Sequence, residues 1–315
     1  MKISSVCMVG GSGFVGRAVA EHLAARGLRV RVITRSRPRA MPLSVLPTVE
    51  IVVADAHDPA ALARAFSGMD AVVNLVGILH EGGRQDFRAC HVELPRKVAE
   101  ACRKSGVQQL LHMSALGADA NGPSEYQRTK GEGETVVRAA AGPLPVTVFR
   151  PSLIFGEGGG FVEVFARLLR LLPVFPLARA EARFQPIWVE DVARAFATAL
   201  GNRAMMGNTY ELGGPKVYTL AGLVRFVAAT LGLERSVIAL PAPLGALQAR
   251  VLEFFPGKPM TRDNLRSMSV DNVCTQPFPE VLGFQPAAME SVVPEFLNAT
   301  AARARYPRYR HLAGR

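Results

Sequence analysis

Two clusters of residues have types and spacing that could do chemistry. The run Val9-Gly10-Gly11-Ser12-Gly13-Phe14-Val15-Gly16 reads as G-x-G-x-x-G from Gly11 and as G-x-x-G-x-x-G from Gly10, Gly13 and Gly16. Glycines at these intervals let a backbone turn tightly and approach a pyrophosphate, which then sits on the N–H groups at the positive end of the following helix. The second cluster is Tyr126-x-x-x-Lys130, whose (i, i+4) spacing puts a phenol and an ammonium on one helix face. Such an ammonium lowers the phenol's pKa toward the range useful for proton transfer, and it can also hold the ribose of a nicotinamide. Either motif alone also arises as a plain Gly loop or a chance pair, so its weight depends on what surrounds it.

The surroundings are those the chemistry needs. The Gly run follows an apolar stretch and opens an amphipathic one rich in alanine (Ala18, Ala20, Ala24, Ala25). Strands are expected near 3–9, 29–34, 49–54, 70–76, 108–113 and 145–150, and helices near 14–26, 59–67, 88–105 and 126–140. Alternation of this kind means βαβ crossovers and a parallel sheet. Val72, Val73, Leu75 and Val76 form the nearly continuous apolar run of a strand buried on both faces. The expected fold is α/β, a doubly wound parallel sheet with a smaller, mostly helical C-terminal cap. After Pro151 a Gly-rich loop (Gly156, Gly158, Gly159, Gly160) leads to an Arg-studded helix and an irregular stretch from Pro173 to Gln185. A helix near 189–200, a strand at Thr209–Leu212 and helices near 219–232, 243–255 and 286–300 follow. Residues 1–155 with 186–200 are expected to bind the cofactor. Residues 156–185 with 201–300 are expected to form the cap, and 301–315 a basic tail.

The second strand selects among dinucleotides. An Asp or Glu about 20 residues past the Gly motif usually binds the ribose 2′-hydroxyl of NAD. Here Val30-Arg31-Val32-Ile33 runs into Thr34-Arg35-Ser36-Arg37 with no acid. Arg35, helped by Ser36 or Arg37, suits a 2′-phosphate, which favours NADP(H) over NAD(H). The competing explanation is the Arg excess of the whole chain. Asp55 is placed to accept a hydrogen bond from an adenine amino group, or simply to begin a turn before Asp58-Pro59 caps the next helix.

Composition bounds the rest. A chain of 315 residues, 49% hydrophobic and 20% charged, is globular and excludes disordered, collagen-like and coiled-coil classes. Lys+Arg 37 against Asp+Glu 26 gives a net charge of +11, which favours anionic partners: phosphates, an anionic membrane surface or nucleic acid. Of the 37 basic residues 31 are Arg, so part of that charge is compositional bias. Cys7, Cys90, Cys102 and Cys274 have no C-x-x-C spacing and read as reduced core residues. The six His show no metal-ligand spacing, so no metal is expected. Gly10, Gly11 and Gly13 interrupt the apolar start before a signal-peptide core could form. The most apolar segment, Phe161 to Leu177, carries Glu163, Arg167, Arg170, Pro173 and Pro176 and cannot span a bilayer. The expected location is cytoplasmic, at most peripheral to the inner membrane face.

Taken in order, the motifs resemble those of short-chain dehydrogenases/reductases of the extended or atypical kind (SDR). They are Gly10-x-x-Gly13-x-x-Gly16, Asn74-Leu75-Val76-Gly77, His112-Met113-Ser114-Ala115 and Tyr126-x-x-x-Lys130. They continue with Phe149-Arg150-Pro151-Ser152-Leu153-Ile154-Phe155-Gly156, Gln185-Pro186-Ile187-Trp188-Val189-Glu190-Asp191-Val192-Ala193 and Tyr210-Glu211-Leu212-Gly213-Gly214. Ser124-x-Tyr126-x-Arg128-x-Lys130-x-x-Gly133-Glu134 and Pro256-Gly257-Lys258-Pro259 look most like one branch. That branch holds the NAD(P)H-binding accessory subunit of respiratory complex I and free-standing bacterial relatives, some of them associated with ubiquinone biosynthesis. The resemblance implies a Rossmann, SDR-like fold with Tyr126 as general acid/base, Lys130 on the ribose and Ser114 as the nearby hydroxyl. It implies cofactor contacts from Gly10, Gly11, Ser12, Gly13, Phe14, Val15, Gly16, Arg35, Ser36, Arg37 and Asp55. Asn74, Val76, Gly77, Lys130, Pro151, Ser152 and Ile154 complete that set. Three departures stand against ordinary turnover. Ala115 falls where a Ser or Thr is usual, with Ser114 one place early. His91 replaces an Asn, and the loop from Ala115 to Tyr126 is short for a nucleotide sugar.

The resulting expectation is an NADP(H)-binding oxidoreductase-like protein of the complex I accessory-subunit type, acting in quinone metabolism. The alternatives are a non-catalytic cofactor-binding structural or redox-sensing module and a sugar-nucleotide epimerase or reductase. Expected partners are a small or lipid-like substrate, a quinone included, and an anionic membrane surface or respiratory complex. No nucleic-acid reader module is present. Arg167, Arg170, Arg179 and Arg183 around Phe161, Val164, Phe165, Leu168, Leu169 and Leu172 suit a lipid entrance or a membrane surface. The plainer reading is a helix packing its apolar face inward. Leu244, Leu247, Val251, Leu252 and Phe255 leave the same pair of readings open. The acid-free run from Arg303 to His311 suits anionic lipid, a partner subunit or nucleic acid, or else a solvated end.

Overall fold

The computed structural model describes residues 2–82, 86–255 and 258–299, so Pro256, Gly257 and the basic tail lie outside the described residues. The chain runs β1 (Ser5–Val9), α1 (Phe14–Ala25), β2 (Arg29–Thr34), α2 (Arg37–Ala40), β3 (Val49–Val53) and α3 (Pro59–Phe66). Next come β4 (Ala71–Asn74), α4 (Leu94–Lys104), β5 (Gln109–Met113), α5 (Glu125–Ala141) and β6 (Val146–Pro151). Then follow β7 (Ile154–Gly156), β8 (Gly159–Gly160), α6 (Phe161–Leu171), β9 (Val174–Leu177), β10 (Arg183–Phe184), β11 (Ile187–Trp188) and α7 (Val189–Ala199). The last are β12 (Thr209–Leu212), β13 (Tyr218–Thr219), α8 (Leu220–Thr230), β14 (Ser236–Ala239), α9 (Ala242–Leu252), α10 (Arg262–Ser267) and α11 (Met289–Ala299).

Two compact units result. The first takes Met1–Ser152, Val189–Leu212 and Cys274–Phe284. Its sheet has seven strands in the order β12-β6-β5-β4-β1-β2-β3, every neighbouring pair parallel. This is the doubly wound sheet that the strand–helix alternation predicts. Strand order reverses between β1 and β4, which opens a crevice at the carboxyl ends of those two strands. Residues 201–212 fall on the sheet side, not with the cap: Thr209 to Leu212 pair in parallel with Val148 to Pro151. One face of the sheet carries α3, α4 and α5, with Leu62, Phe66, Leu94, Val98 and Val137 packed on Cys7, Val72, Leu110 and Val148. Each such large side chain contributes about 1.5–3 kcal/mol by leaving water. α1 and α7 pack on each other, with His22 Nε2 2.9 Å from Glu190 Oε2. Gln109 points away from Leu110 along the strand and donates to the Ala199 carbonyl at 2.9 Å. Helix starts follow local chemistry: Asp58 accepts the Ala60 N–H at 2.9 Å and Ser124 accepts that of Gln127 at 3.1 Å. The single helix expected over 88–105 is interrupted, because a π-turn over Ala89–Glu93 precedes α4.

Of the described residues, the second unit takes Leu153–Trp188, 213–273 and 285–299. Its core joins Val162, Ala166 and Leu169 of α6 to Phe175, Leu177, Leu223, Val224, Val227 and Val293. α6 therefore packs its apolar face inward. The stretch expected to be irregular contains β9, parallel to β14, and β10, antiparallel to β13. Cys7, Cys90 and Cys102 are buried thiols and Cys274 is half-buried. Among the described residues no helix is long and apolar enough to cross a membrane.

Candidate active site and cofactor cradle

The cradle is built by the Gly run at the end of β1. Gly10 has φ +85°, a backbone conformation that L side chains rarely adopt. A Cβ there would lie 3.1 Å from Leu75 C and Val76 N, in the loop after β4. Gly13 donates its N–H to the Gly10 carbonyl at 3.1 Å, and Arg17 donates to Gly13 at 3.0 Å, which starts α1. A Cβ on Gly16 would run into the Gly10 carbonyl oxygen and lie 2.6 Å from Gly11 C, so only glycine lets the helix begin flush against the loop. No side chain caps α1, and its first turn holds no acid. An uncapped helix end beside glycines at a sheet's switch point fits a pyrophosphate.

The neighbouring residues sort by what they touch. Ser12 Oγ lies 3.0 Å from Thr34 Oγ1, which donates to the Ser36 carbonyl at 3.1 Å and ties the end of β2 to the Gly loop. Phe14 is half-buried and Val15 buried at the start of α1, while Arg37 is exposed in α2. Arg35 is exposed, yet its charge and that of Lys130 both act on the Cys90 thiol against the upward push of burial. Arg35 directly follows β2, and Lys130 reaches the carbonyl of Met113 at the end of β5, so the parallel strands put both at the carboxyl end of the sheet. Asp55 Oδ1 accepts the His57 N–H at 2.9 Å and opens the turn before α3. Asn74 is buried, its Oδ1 accepting the Val76 N–H at 3.3 Å and its Nδ2 3.2 Å from His112 Nδ1. It shapes the loop that carries Val76 and Gly77. Pro151 ends β6 and accepts the Leu116 N–H at 2.9 Å; Ser152 donates to Leu212 at 2.8 Å. Ile154 lies in β7, in the second unit.

Tyr126 and Lys130 sit one turn apart on α5, as their spacing predicts. Lys130 is buried, its Nζ 3.4 Å from the Met113 carbonyl and 3.0 Å from where a Gly77 Cβ would stand. Burial pulls the ammonium down to about 8, against the attraction of Glu134 one turn on. The Tyr126 phenol goes the other way from the expected shift, because burial pushes it up to about 12. Desolvation is the cause of that rise. Glu134 is fixed by two bonds from Arg150, at 2.8 and 2.7 Å.

His91 joins these parts. Its Nε2 accepts the Ile78 N–H at 3.1 Å, so a neutral ring carries its proton on Nδ1 and donates to Thr129 Oγ1 at 3.0 Å. Thr129 in turn donates to the Glu125 carbonyl at 2.8 Å. The ring stacks on Phe87 and meets Tyr126 edge-on, centroids 5.4 Å apart in both cases. Burial first, then the Lys130 charge, holds His91 near 2, so it is neutral at working pH. Phe87, Thr129 and the π-turn carried no sequence signal. Gly133 was in the motif, and its reason is steric, since a Cβ there would collide with the His91 carbonyl oxygen. Ser114 follows β5 and donates its backbone N–H to Phe149 at 2.7 Å. Its side-chain hydroxyl is buried and, among the described residues, finds no hydrogen-bond partner.

Comparison with known proteins bears on this geometry. The pattern of the NAD dependent epimerase/dehydratase family matches residues 6–213, from β1 to just past β12. The chain belongs to that family. As an epimerase/dehydratase-family chain it is an NAD(P)-binding protein of SDR type. It is 29% identical over 293 residues to NADH dehydrogenase (ubiquinone) 1 alpha subcomplex subunit 9, mitochondrial, of Rattus norvegicus, spanning 89% of this chain and 76% of that one. It is 32% identical over 249 residues to ceramide reductase of Caulobacter vibrioides, spanning 78% and 76%. Its fold is similar to that of an NADPH-dependent quinone oxidoreductase of Escherichia coli solved with NADPH, with a TM-score of 0.72, 20% identity and coverage of 92% and 99%.

Proposed function

We propose that the chain is an NADP(H)-dependent oxidoreductase that reduces the carbonyl of a lipid-like substrate, a quinone or a keto-lipid. The observation that carries this reading is the buried, unpartnered hydroxyl of Ser114 after β5. Leaving such a group unsatisfied costs about 1–3 kcal/mol, and a substrate oxygen would relieve it. A bound nicotinamide supplies the hydride. Tyr126, held protonated by burial, donates its phenolic proton to the carbonyl oxygen, and Ser114 donates a hydrogen bond to the same atom. Lys130, positively charged at neutral pH, eases formation of the phenolate and binds the ribose. The uncapped backbone N–H groups at the start of α1 take the pyrophosphate, with Asp55 toward the adenine amino group. Arg35, with Ser36 and Arg37, takes a 2′-phosphate, since no acid stands between Glu21 and Glu50 to bind a ribose hydroxyl instead. The Caulobacter relative's name, a reductase of a lipid, supports the substrate class.

One observation favours a second reading. Ala115 brings no hydroxyl to its position, and the Rattus relative is by name a subunit of a larger dehydrogenase. On that reading the cofactor stabilises the fold within a respiratory assembly at the cytoplasmic membrane face, with no turnover. A fluorescence titration with NADPH and NADH, repeated on Arg35→Ala, tests the cofactor assignment. NADPH should bind more tightly, and the variant should lose about 10- to 100-fold toward NADPH alone. Equal affinity for both cofactors in the parent chain would sink the NADP(H) assignment. Oxidation of NADPH by a soluble quinone or a keto-lipid, absent in Tyr126→Phe, separates the enzyme from the structural module.

A further inference from the structure

The second unit bears an apolar face that its own core does not use. α9 is held through small residues: Gly245 and Ala249 are buried, and a Cβ on Gly245 would stand 2.9 Å from Ala178 Cβ. Gln248 secures the helix along β9, its Oε1 accepting the Ala178 N–H at 3.2 Å and its Nε2 donating to the Pro176 carbonyl at 2.7 Å. The helix thus covers a strand edge with one polar side chain and turns a stripe outward. Leu244, Leu247 and Val251, spaced to share a helix face, are 51%, 56% and 48% exposed, and Phe254 beyond them is 85% exposed. β9 continues the pattern. Phe175 and Leu177 face the core, whereas Val174 and Pro176 stand out, and Ile238 of β14, paired with Pro176, is exposed beside them. Leu171 and Leu172, just before β9, are exposed as well.

The charge around this face argues for its occupant. Residues 171–178 and 236–252 contain no Asp or Glu and a single cation, Arg250, with Arg170 adjoining Leu171. Of the acids bordering these stretches, Glu181 and Glu234 lie outside them in sequence and Glu253 is held by Arg262 at 3.0 Å. An acid-free apolar stripe on a chain of net charge +11 matches the boundary between anionic headgroups and acyl chains. A protein partner would be met by a polar rim, and Gln248, the one polar side chain of the helix besides Arg250, is already engaged. We propose that α9 and the outer face of β9 and β14 dock on an anionic lipid bilayer. Leu244, Leu247, Val251 and Phe254 enter the headgroup boundary.

This inference is independent of the catalytic reading, so NADPH binding serves as its control. The full chain is sedimented with sucrose-loaded vesicles of phosphatidylcholine alone and of an equal mixture with phosphatidylglycerol. Binding should favour the anionic vesicles and fall by about tenfold or more in Leu244→Gln/Leu247→Gln, with NADPH affinity unchanged. In Leu247→Trp, indole emission should shift to the blue on mixing. The variant Arg305→Gln/Arg308→Gln/Arg310→Gln separates this face from the basic tail and should retain most of the binding. No binding by the parent chain, equal binding by the leucine variant, or binding lost only with the tail arginines would overturn the proposal. So would a dimer of the parent chain that the leucine variant dissolves without any vesicle binding.

Discussion

Lys130 and His91 are buried and Tyr126 half-buried, and desolvation is what shifts the protonation equilibrium of each. Tyr126→Phe keeps the ring and its contact with His91 but removes the proton. Turnover of the accepted carbonyl should fall by about 10²- to 10⁴-fold, while NADPH affinity stays within error. Burying the Lys130 ammonium is costly to the fold. Its pKa is drawn from 10.5 to about 8, so the unfolded chain binds that proton more tightly, and the penalty is fully present below pH 8 and relieved as pH rises toward 10.5. Lys130→Met should therefore raise the unfolding free energy of the cofactor-free protein at neutral pH by about 1–3 kcal/mol while weakening NADPH binding. An unchanged or lowered stability in urea would refute this. His91 and His112 act at lower pH, held near 2 and 3 against an ordinary 6.5, in both cases first by burial. The unfolded imidazoles take up protons below about pH 6.5 and the folded ones do not, so stability should fall as pH drops from about 6.5 toward 3. Urea unfolding between about pH 7 and 4.5 should show that slope, reduced in His91→Gln.

Two elements meet in this site without side chains between them. The π-turn over Ala89–Glu93 brings the His91 carbonyl against α5, and Gly133 is the position that admits it. Gly133→Ala should lower stability by about 1–3 kcal/mol, since backbone on both sides leaves little room to give. A variant unfolding at the same urea concentration as the parent would show that α5 can shift. Gly133 stood in the motif, but its partner was invisible, because a π-turn has no compositional mark and residues 88–105 read as one continuous amphipathic helix. The stripe on α9 was legible as a stripe. Which way it faced was not, since Leu244, Leu247 and Val251 have the periodicity of any core-facing helix.

For the whole molecule, ligand linkage gives the simplest test. NADPH at 100 times its dissociation constant should stabilise the native state by about 2.7 kcal/mol and raise the melting temperature by about 4 °C. NADH at the same concentration should do less if Arg35 selects the phosphate. A melting temperature unmoved by either would mean that the cradle from Gly10 to Gly16 is not used.

What the sequence determined by itself was local: glycines at fixed intervals, strand and helix periods, Tyr126 and Lys130 one turn apart, and the missing acid after β2. Each depends on residues close along the chain, where spacing translates directly into geometry. Tertiary structure decided what depends on distant contacts. Burial raised the Tyr126 pKa where Lys130 was expected to lower it, and the ladder with β6 drew β12 into the main sheet. Packing turned α6 inward while Gly245, Ala249 and Gln248 held α9 with its leucines outward. Desolvation, register and the choice of which face to bury are properties of neighbours far apart in sequence, and only the fold brings those neighbours together.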